Sequence, residues 1–224
     1  MNLVQLKKNW DSVCSEVGQA KLLVVSKTRS AEEVRALYQL GQRDFGENRV
    51  QDLEEKDALL TDCPELRWHL IGHLQSNKIT KLNKLSRLTS IHSIDSFELA
   101  EKLAKGLTGH FEGVGLFLQV NTSHEEEKSG FEDYGEVFKT AKSLLELRNV
   151  RFQGLMTMGT IRTDAPVQEA HRCFKDLQEM AAKLQKSLDV KKVELSMGMS
   201  GDYQVALQHG TDWVRVGSKI FQQV

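Results

Sequence analysis

Eight short apolar or β-branched runs, most of them separated by helical segments, are the feature that most restricts what this chain can fold into. The runs are "LLVVSK", "RDFGE", "RWHLIG", "LTSIHSID", "VGLFLQVN", "RFQGLMTMG", "KVELSMG" and "DWVRVGS". Strands that alternate with helices pair in parallel, because each return to the same end of a sheet needs a crossover, usually a helix. The alternation therefore predicts a parallel α/β fold.

The segments between these runs carry helix signals of their own. "SAEEVRALYQLG" has Ser30 in an N-cap position, Glu33 three residues later and Gly41 at its end, the pattern of a capping box and a C-terminal glycine. In "DSFELAEKLAKGL" we expect Asp95 and Glu98 to form the same box. The longest helical patterns are "FEDYGEVFKTAKSLLEL" and "DAPVQEAHRCFKDLQEMAAKLQKSL".

Two parallel architectures are compatible with this alternation. A doubly wound open sheet typically has fewer strands and carries a GxGxxG fingerprint in its first strand–helix turn, whereas "SKTRSAEE" contains no glycine. The chain has 224 residues, and α/β barrels of about 200–250 residues commonly form one domain. We therefore predict an α/β fold, a single (β/α)8 TIM-type barrel formed by residues 1–224 as one domain, with an extra N-terminal helix, Leu3 to Val17.

Composition argues against several classes of function. The formal net charge of -1 and the lack of an arginine-rich or lysine-rich run argue against nucleic-acid binding. No apolar run approaches the ~20 residues needed to cross a bilayer, and the amphipathic N-terminus does not resemble a signal peptide. Cys14, Cys63 and Cys173 are far apart and in no CxxC pair, so neither disulfides nor a zinc site are expected. We expect a cytoplasmic protein that binds neither nucleic acid nor membranes.

The first predicted strand ends in a lysine. "KLLVVSKTRS" runs from apolar residues into Lys27, and active-site groups of (β/α)8 barrels lie at the C-terminal ends of the strands. One interpretation is a surface lysine that extends its ammonium group into water. The other is a partly desolvated lysine at the barrel mouth, an amine nucleophile that can form a Schiff base. The position at the mouth favours the second interpretation.

Small and hydroxyl-bearing residues follow the seventh and eighth predicted strands. In "SMGMSGD" and "VRVGS", Gly198, Gly201 and Gly217 let backbone amides approach an anion, and Ser200 and Ser218 can donate hydrogen bonds to it. "DYQVALQHG" predicts a short helix whose N-terminus favours negative charge. Any one of these glycines alone could simply form a turn. Because the loops after strands seven and eight are the usual phosphate site of this fold, we predict phosphate binding here.

A Schiff-base lysine opposite a phosphate site fits pyridoxal 5′-phosphate. Its aldehyde would reach Lys27 on one wall and its phosphate the two loops on the other, while the protein supplies anchoring and electrostatics. Arg215, on the eighth strand beside those loops, is a candidate for contact with either the phosphate or the pyridine ring. An arginine would keep the pyridine nitrogen neutral, whereas a carboxylate would favour carbanion chemistry.

Other polar residues at strand ends each admit two interpretations. Asn48 in "FGENRVQ" is either a mouth residue or the N-cap of the next helix. Met197 and Met199 either pad a cofactor ring or fill gaps in the core. His69 and His73 share one strand face, but no carboxylate ligand follows nearby, so a metal site is disfavoured.

In combination, the motifs are similar to those of a known family. "VVSKT", "FGENRVQ", "WHLIGHLQSNK", "IHSID", "GLMTMG", "LSMGMSGDYQVAL" and "VRVGSKIF" together resemble the pyridoxal phosphate homeostasis proteins, over nearly the whole chain. That family looks like the N-terminal barrel domain of alanine racemase. The resemblance implies an aldimine of pyridoxal 5′-phosphate with Lys27, and a phosphate against Ser200 and the Gly217–Ser218 turn, with Arg215 nearby. It also implies a ring pocket lined by Asn48, His73 and Met199.

The resemblance also bears on whether this chain is a carrier or an enzyme. A racemase needs an acid–base group on each face of the carbanion, and in alanine racemases a tyrosine of a second domain supplies one. Here only "KIFQQV" follows the strand-eight turn, and Tyr38, Tyr134 and Tyr203 are not evident second bases. We therefore expect a monomeric binding protein of B6 vitamer and amino-acid homeostasis, without efficient catalysis and with apo-enzymes as recipients. The alternative is a weak racemase or a related amino-acid enzyme.

Overall fold

Eight parallel strands close into a barrel in the computed structural model, which describes residues 2–108, 113–160 and 163–222. Each strand pairs with the next along the chain, and the eighth pairs with the first. The strands are β1 (Lys21–Val25), β2 (Asp44–Glu47), β3 (Arg67–Leu70), β4 (Leu88–Ile94), β5 (Val114–Gln119), β6 (Val150–Met156), β7 (Glu194–Met199) and β8 (Trp213–Val216). The predicted (β/α)8 TIM-type barrel is confirmed.

Helices flank the barrel and connect its strands. The described helices are α1 (Leu3–Val17), α2 (Ala31–Gln39), α3 (Val50–Leu59), α4 (Ile79–Leu82), α5 (Phe97–Gly106), α6 (Tyr134–Leu145), α7 (Pro166–Leu188), α8 (Tyr203–Gln208) and α9 (Ser218–Phe221). α1 precedes β1 and begins after Asn2, whose side chain accepts hydrogen bonds from the amides of Val4 and Gln5. The predicted extra N-terminal helix is therefore confirmed.

Both faces of the strands are covered, which explains the continuous apolar runs. Leu22 and Val24 of β1 pack into the core between the barrel and its helices, whereas Leu23 packs with Phe117 and Trp213 inside the barrel. Parallel strands buried on both faces carry apolar residues at successive positions, because neither face meets water. Fully burying one such side chain contributes about 1.5–3 kcal/mol.

Of the two predicted capping boxes, one is confirmed and one is wrong. Ser30 and Glu33 form a reciprocal box at the start of α2. At the start of α5 the cap is Ser96, which accepts a hydrogen bond from the amide of Leu99, whereas Asp95 lies 3.1 Å from a ring nitrogen of His73. Aspartate and serine are about equally good N-caps, so the sequence "DS" did not distinguish them.

The extra helix is fastened to the chain segments that follow β7 and β8. Glu16 of α1 accepts hydrogen bonds from the hydroxyl of Tyr203, from Gln204 at 2.8 Å and from Lys219 at 3.0 Å. The hydrogen bond from Tyr203, followed by those from Lys219 and Gln204, lowers the pKa of Glu16 to about 2. These four residues, the Glu16 latch, join α1 to α8 and α9.

Candidate cofactor-binding site

The C-terminal ends of β1, β7 and β8 surround a cavity of about 380 Å³. This volume lies within the ~300–1,000 Å³ typical of small-molecule sites. Six of the eight residues predicted for the site line it, and they are Lys27, Met199, Ser200, Arg215, Gly217 and Ser218. Residues from the two ends of the chain thus meet at one cavity, because β1 and β8 are neighbours in the closed barrel.

Lys27 stands on the turn that follows β1. Val25, the last residue of the strand, packs against the residues inside the barrel, and Lys27 follows two residues later in the turn. Lys27 accordingly lines the cavity, but it is exposed. The expected partial desolvation of this lysine is wrong, because Lys27 lies beyond the last residue of the strand and not within the packed barrel.

The loops after β7 and β8 contact each other through a serine and a glycine. The Gly217 amide donates to Ser200 Oγ at 3.2 Å. A Cβ atom on Gly217 would lie 2.7 Å from the carbonyl oxygen of Val25, so only glycine lets this turn approach β1 so closely. Ser218 begins α9, and the first amides of a helix have no partner within that helix. Hydroxyl groups and backbone amides of this kind suit a phosphate.

Arg215 is a fixed, buried cation at the same cavity. Only 4% of the residue is exposed. Its Nη1 donates to the carbonyl oxygen of Ser196 at 2.7 Å and to Ser196 Oγ at 2.8 Å, and its Nη2 donates to the carbonyl oxygen of Thr157 at 2.8 Å. Burial lowers the pKa of Arg215 to about 10, so the guanidinium stays charged at neutral pH. These contacts use three of its five N–H donors and leave the group able to donate further.

A chain of buried hydrogen bonds leads from Arg215 into the barrel. Ser196 Oγ, which accepts from Arg215, lies 2.8 Å from His92 Nδ1. His92 Nε2 lies 2.8 Å from Ser90 Oγ. His92 also stacks on Phe117 with ring centroids 4.2 Å apart. The imidazole is therefore held by hydrogen bonds at both nitrogens and by an aromatic ring on one face.

The chain continues from Ser90 to the opposite end of the barrel. Ser90 Oγ lies 2.6 Å from His69 Nδ1, and His69 Nε2 lies 2.9 Å from Asp44 Oδ1. Asp44 also accepts two hydrogen bonds from Arg67. Burial raises the pKa of Asp44, but His69 and Arg67 outweigh that effect and lower it to about 2. We name as the interior chain Arg215, Ser196, His92, Ser90, His69 and Asp44.

Hydrogen-bond chemistry fixes the direction of every proton in the interior chain. Arginine can only donate and the carboxylate of Asp44 can only accept, so with both imidazoles neutral Ser196 donates its own proton to His92 Nδ1. His92 then carries its proton on Nε2, and the same reasoning places the proton of His69 on Nε2, facing the carboxylate of Asp44. Burial lowers the pKa of both histidines, which keeps them neutral as this order requires.

Sequence reasoning weighed His69 only as a possible metal ligand and missed its connection through Ser90 to His92 and Ser196. One signal was present in "LTSIHSID", where Ser90 and His92 alternate with apolar residues. Polar residues at a period of two in a buried strand face the same side, here the barrel interior. The partners on other strands depend on the register of the closed barrel, which the sequence does not state.

Asn48 and His73 lie at a neighbouring cavity of about 540 Å³ and not around the one that contains Lys27. His73 is exposed and lies 3.1 Å from Asp95 Oδ2. The N-cap of α3 is Arg49, so the interpretation of Asn48 as that cap is wrong. Met197 is fully buried in the core, whereas Met199 lines the cavity of Lys27.

The described residues contain neither a membrane-crossing helix nor a cluster of metal-binding side chains. No helix within residues 2–108, 113–160 and 163–222 is long and apolar enough to cross a membrane. In the same part of the chain, no group of three or more histidine, cysteine, aspartate or glutamate side chains could hold a metal ion.

The sequence of this closed parallel barrel matches that of a known protein domain. Residues 1–223 match the sequence model described as alanine racemase, N-terminal domain. The pyridoxal phosphate homeostasis protein of Caenorhabditis elegans is 37% identical over 228 residues, which cover 98% of this chain and 92% of that protein. The one from Homo sapiens is 39% identical over 210 residues, which cover 91% and 76%.

A solved structure agrees with these relatives. PipY of Synechococcus elongatus, determined with PLP bound, superposes with a TM-score of 0.86 at 36% identity, covering 97% of this chain and 100% of that chain. Sequence and structure thus point to the same group of proteins. The chain belongs to the family of pyridoxal phosphate homeostasis proteins.

Proposed function

We propose that this protein binds pyridoxal 5′-phosphate in intracellular B6 vitamer and amino-acid homeostasis, holding it as an aldimine of Lys27 without efficient catalysis. The observation that carries the proposal is the meeting of Lys27 with Ser200, Gly217 and Ser218 around one cavity. The PLP-bound state of PipY supports the choice of ligand. When bound, the cofactor would supply an aldehyde and an electron-withdrawing ring.

Each group of the cavity has a task in this proposal. Lys27 would hold the cofactor through its side-chain amine, a group that can condense with an aldehyde to a C=N bond with loss of one water. Ser200 and Ser218, which line the cavity, would donate hydroxyl hydrogen bonds to the phosphate, and the Gly217 turn would bring backbone amides close to it. Arg215 supplies a positive charge that the interior chain orients; Met199 would lie against the ring. Asn48 and His73 line the other cavity, so either would contact the ring only if the bound cofactor reached from one cavity to the other.

The positions of the tyrosines support a carrier over a racemase. The hydroxyl of Tyr203 bonds to Glu16 and Lys219, that of Tyr134 donates to Ser187, and that of Tyr38 accepts from the amide of Glu65. None of the three lines the cavity of Lys27 within the described residues. Racemisation requires a second base on the face opposite the lysine, so these tyrosine positions favour a carrier.

The proposal also covers the domain organisation, oligomeric state and location of the protein and the recipients of the cofactor. We propose that residues 1–224 act as one domain and as a monomer in the cytoplasm, and that apo-enzymes receive the cofactor from it. Cys14, Cys63 and Cys173 are free thiols, as in a reducing compartment. Exposure of Lys27 to solvent would let the C=N bond hydrolyse during transfer.

The visible spectrum of the purified protein tests this proposal. With added cofactor, the wild type and Lys191→Ala, a change at an exposed lysine before β7, should show a yellow band that Lys27→Ala lacks. Amino-acid turnover should stay well below ~1 s⁻¹ in all three proteins, at the lower edge of ordinary enzymes. Turnover at or above that rate that depends on Lys27 would favour the weak racemase or a related enzyme instead.

A further inference from the structure

The residue before Lys27 is held by a buried ion pair. Ser26 Oγ donates to Glu47 Oε1 at 2.6 Å, and Lys56 Nζ donates to the same oxygen at 2.6 Å. Lys56 Nζ also donates to the carbonyl oxygen of Ser26 at 2.8 Å. Glu47 ends β2 and is fully buried, and Lys56 comes from α3. The side chain and the backbone of Ser26 are therefore each held by a charged group; we call these three residues the Ser26 clamp.

The clamp acts on the turn that presents Lys27. The Arg29 amide donates to the carbonyl oxygen of Ser26 at 2.9 Å, which closes a four-residue turn with Lys27 second and Thr28 third. Thr28 has φ +64°, a conformation that β-branched residues rarely adopt and that persists only where the surroundings enforce it. The carbonyl that closes this strained turn is the one that Lys56 binds.

One oxygen of Glu47 is left without a partner. Among the described residues, Glu47 Oε2 is the only buried side-chain nitrogen or oxygen that makes no hydrogen bond, while both donors converge on Oε1. A buried carboxylate that served stability alone would be expected to satisfy both oxygens, since an unpaired one is unfavourable. Both donors thus bind the one oxygen that holds Ser26, and Oε2 is left without a hydrogen bond.

We propose that Glu47 and Lys56 are positioning residues that fix the Ser26 turn and thereby direct the Lys27 amine into the cavity. The inference rests on the proposed function, because it assigns these residues a role toward an aldehyde bound there. A small displacement of a reacting group can slow its reaction by about 10²-fold. Loss of the clamp should therefore slow attachment at Lys27 far more than it disturbs the fold.

Two variants and a matched control separate positioning from stability. Ser26→Ala removes the hydroxyl and leaves the ion pair, and Glu47→Gln removes the charge. Asp57→Asn is the control, because Asp57 lies on the same helix as Lys56 and forms a similarly buried pair with Arg87, away from the turn. All three substitutions should lower the denaturant midpoint of unfolding. The attachment rates of the variants and the wild type are therefore compared under conditions in which the same fraction of each protein is folded.

Two readouts are measured, one of them without cofactor. The first is the rate of pyridoxal phosphate attachment at Lys27, trapped by borohydride and followed by peptide mass; it should fall about tenfold or more in both clamp variants. The second is amide exchange of Arg29 measured by NMR in the cofactor-free protein, which should speed up in the same two variants. Asp57→Asn should match the wild type in both.

The outcomes are distinct. Wild-type rates of attachment and exchange in Ser26→Ala and Glu47→Gln would overturn the positioning role while leaving the proposed function intact. If Glu47→Gln does not fold, Ser26→Ala decides the role of Glu47, because it removes the hydroxyl from which Glu47 Oε1 accepts, and Lys56→Met decides the role of Lys56 by the same two readouts. Failure of the wild type itself to attach the cofactor at Lys27 would overturn both proposals.

Discussion

Gly217 packs so closely against β1 that a methyl group in place of its hydrogen atom would clash with Val25. A Cβ there would meet the Val25 carbonyl oxygen at 2.7 Å and Val25 Cβ at 3.0 Å, whereas a Cβ on Gly201, which lines the same cavity, would meet nothing within 4 Å. We expect Gly217→Ala to destabilise the protein by about 1–3 kcal/mol through overpacking and to weaken cofactor binding. Gly201→Ala is the control for the steric effect and should leave the free energy of unfolding unchanged. Denaturant unfolding and a cofactor titration measure the two effects; equal behaviour of the two variants would contradict the assigned role of Gly217.

The two buried histidines make a prediction about proton placement. Because Arg215 donates at one end of the interior chain and Asp44 accepts at the other, both imidazoles should be neutral with the proton on Nε2. Nitrogen NMR of the imidazole rings should show this tautomer for His69 and His92 throughout pH 7–8. A proton on Nδ1 of either ring, or a charged ring in that range, would be incompatible with the chain as described.

At the level of elements, α1 does not line the cavity of Lys27 but is joined to the helices that follow its loops. The Glu16 latch connects this helix to α8 and α9, which begin directly after the two loops of the proposed phosphate site. The extra helix therefore does more than cover one end of the barrel. It also restrains the segments on which the loop geometry depends.

The latch predicts a pH-dependent contribution to stability. The folded pKa of Glu16 is lowered from 4.5 to about 2, so its stabilisation is fully present above pH 4.5 and is lost as the pH falls toward 2. We expect Glu16→Gln to be less stable than the wild type by about 1 kcal/mol at pH 7, since hydrogen bonds to a charged group are lost. The stability difference between Glu16→Gln and the wild type should shrink as the pH falls from 4.5 toward 2.

Urea unfolding at several pH values measures this difference. The control is Glu179→Gln, which removes an exposed carboxylate 3.7 Å from Lys175 and should change little, as surface pairs generally do. A difference between Glu16→Gln and the wild type that is the same at pH 7 and pH 2 would show that the carboxylate of Glu16 is not the source of the stabilisation.

At the scale of the whole molecule, the barrel was predictable because alternation is a property of the entire chain. Eight runs with intervening helices are compatible with few architectures, and the strand-end rule then placed Lys27, Ser200 and Gly217 at the mouth. The Ser26 clamp and the interior chain were not predictable. Each joins residues on different elements, and their contacts depend on strand register and helix placement that sequence patterns do not specify. Solvent exposure of Lys27 was one of two interpretations of the sequence, and the choice between them depends on where the strand stops and the turn begins.

The central claim is that Lys27 is the covalent anchor for pyridoxal 5′-phosphate, and one measurement tests it most directly. The protein is incubated with the cofactor, reduced with borohydride and digested, and the modified lysines are identified by peptide mass. We expect the reduced cofactor on the Lys27 peptide, with the other lysines, including the nearby Lys56 and Lys219, essentially unmodified. Modification spread over exposed lysines, or placed on another residue in preference to Lys27, would contradict the account.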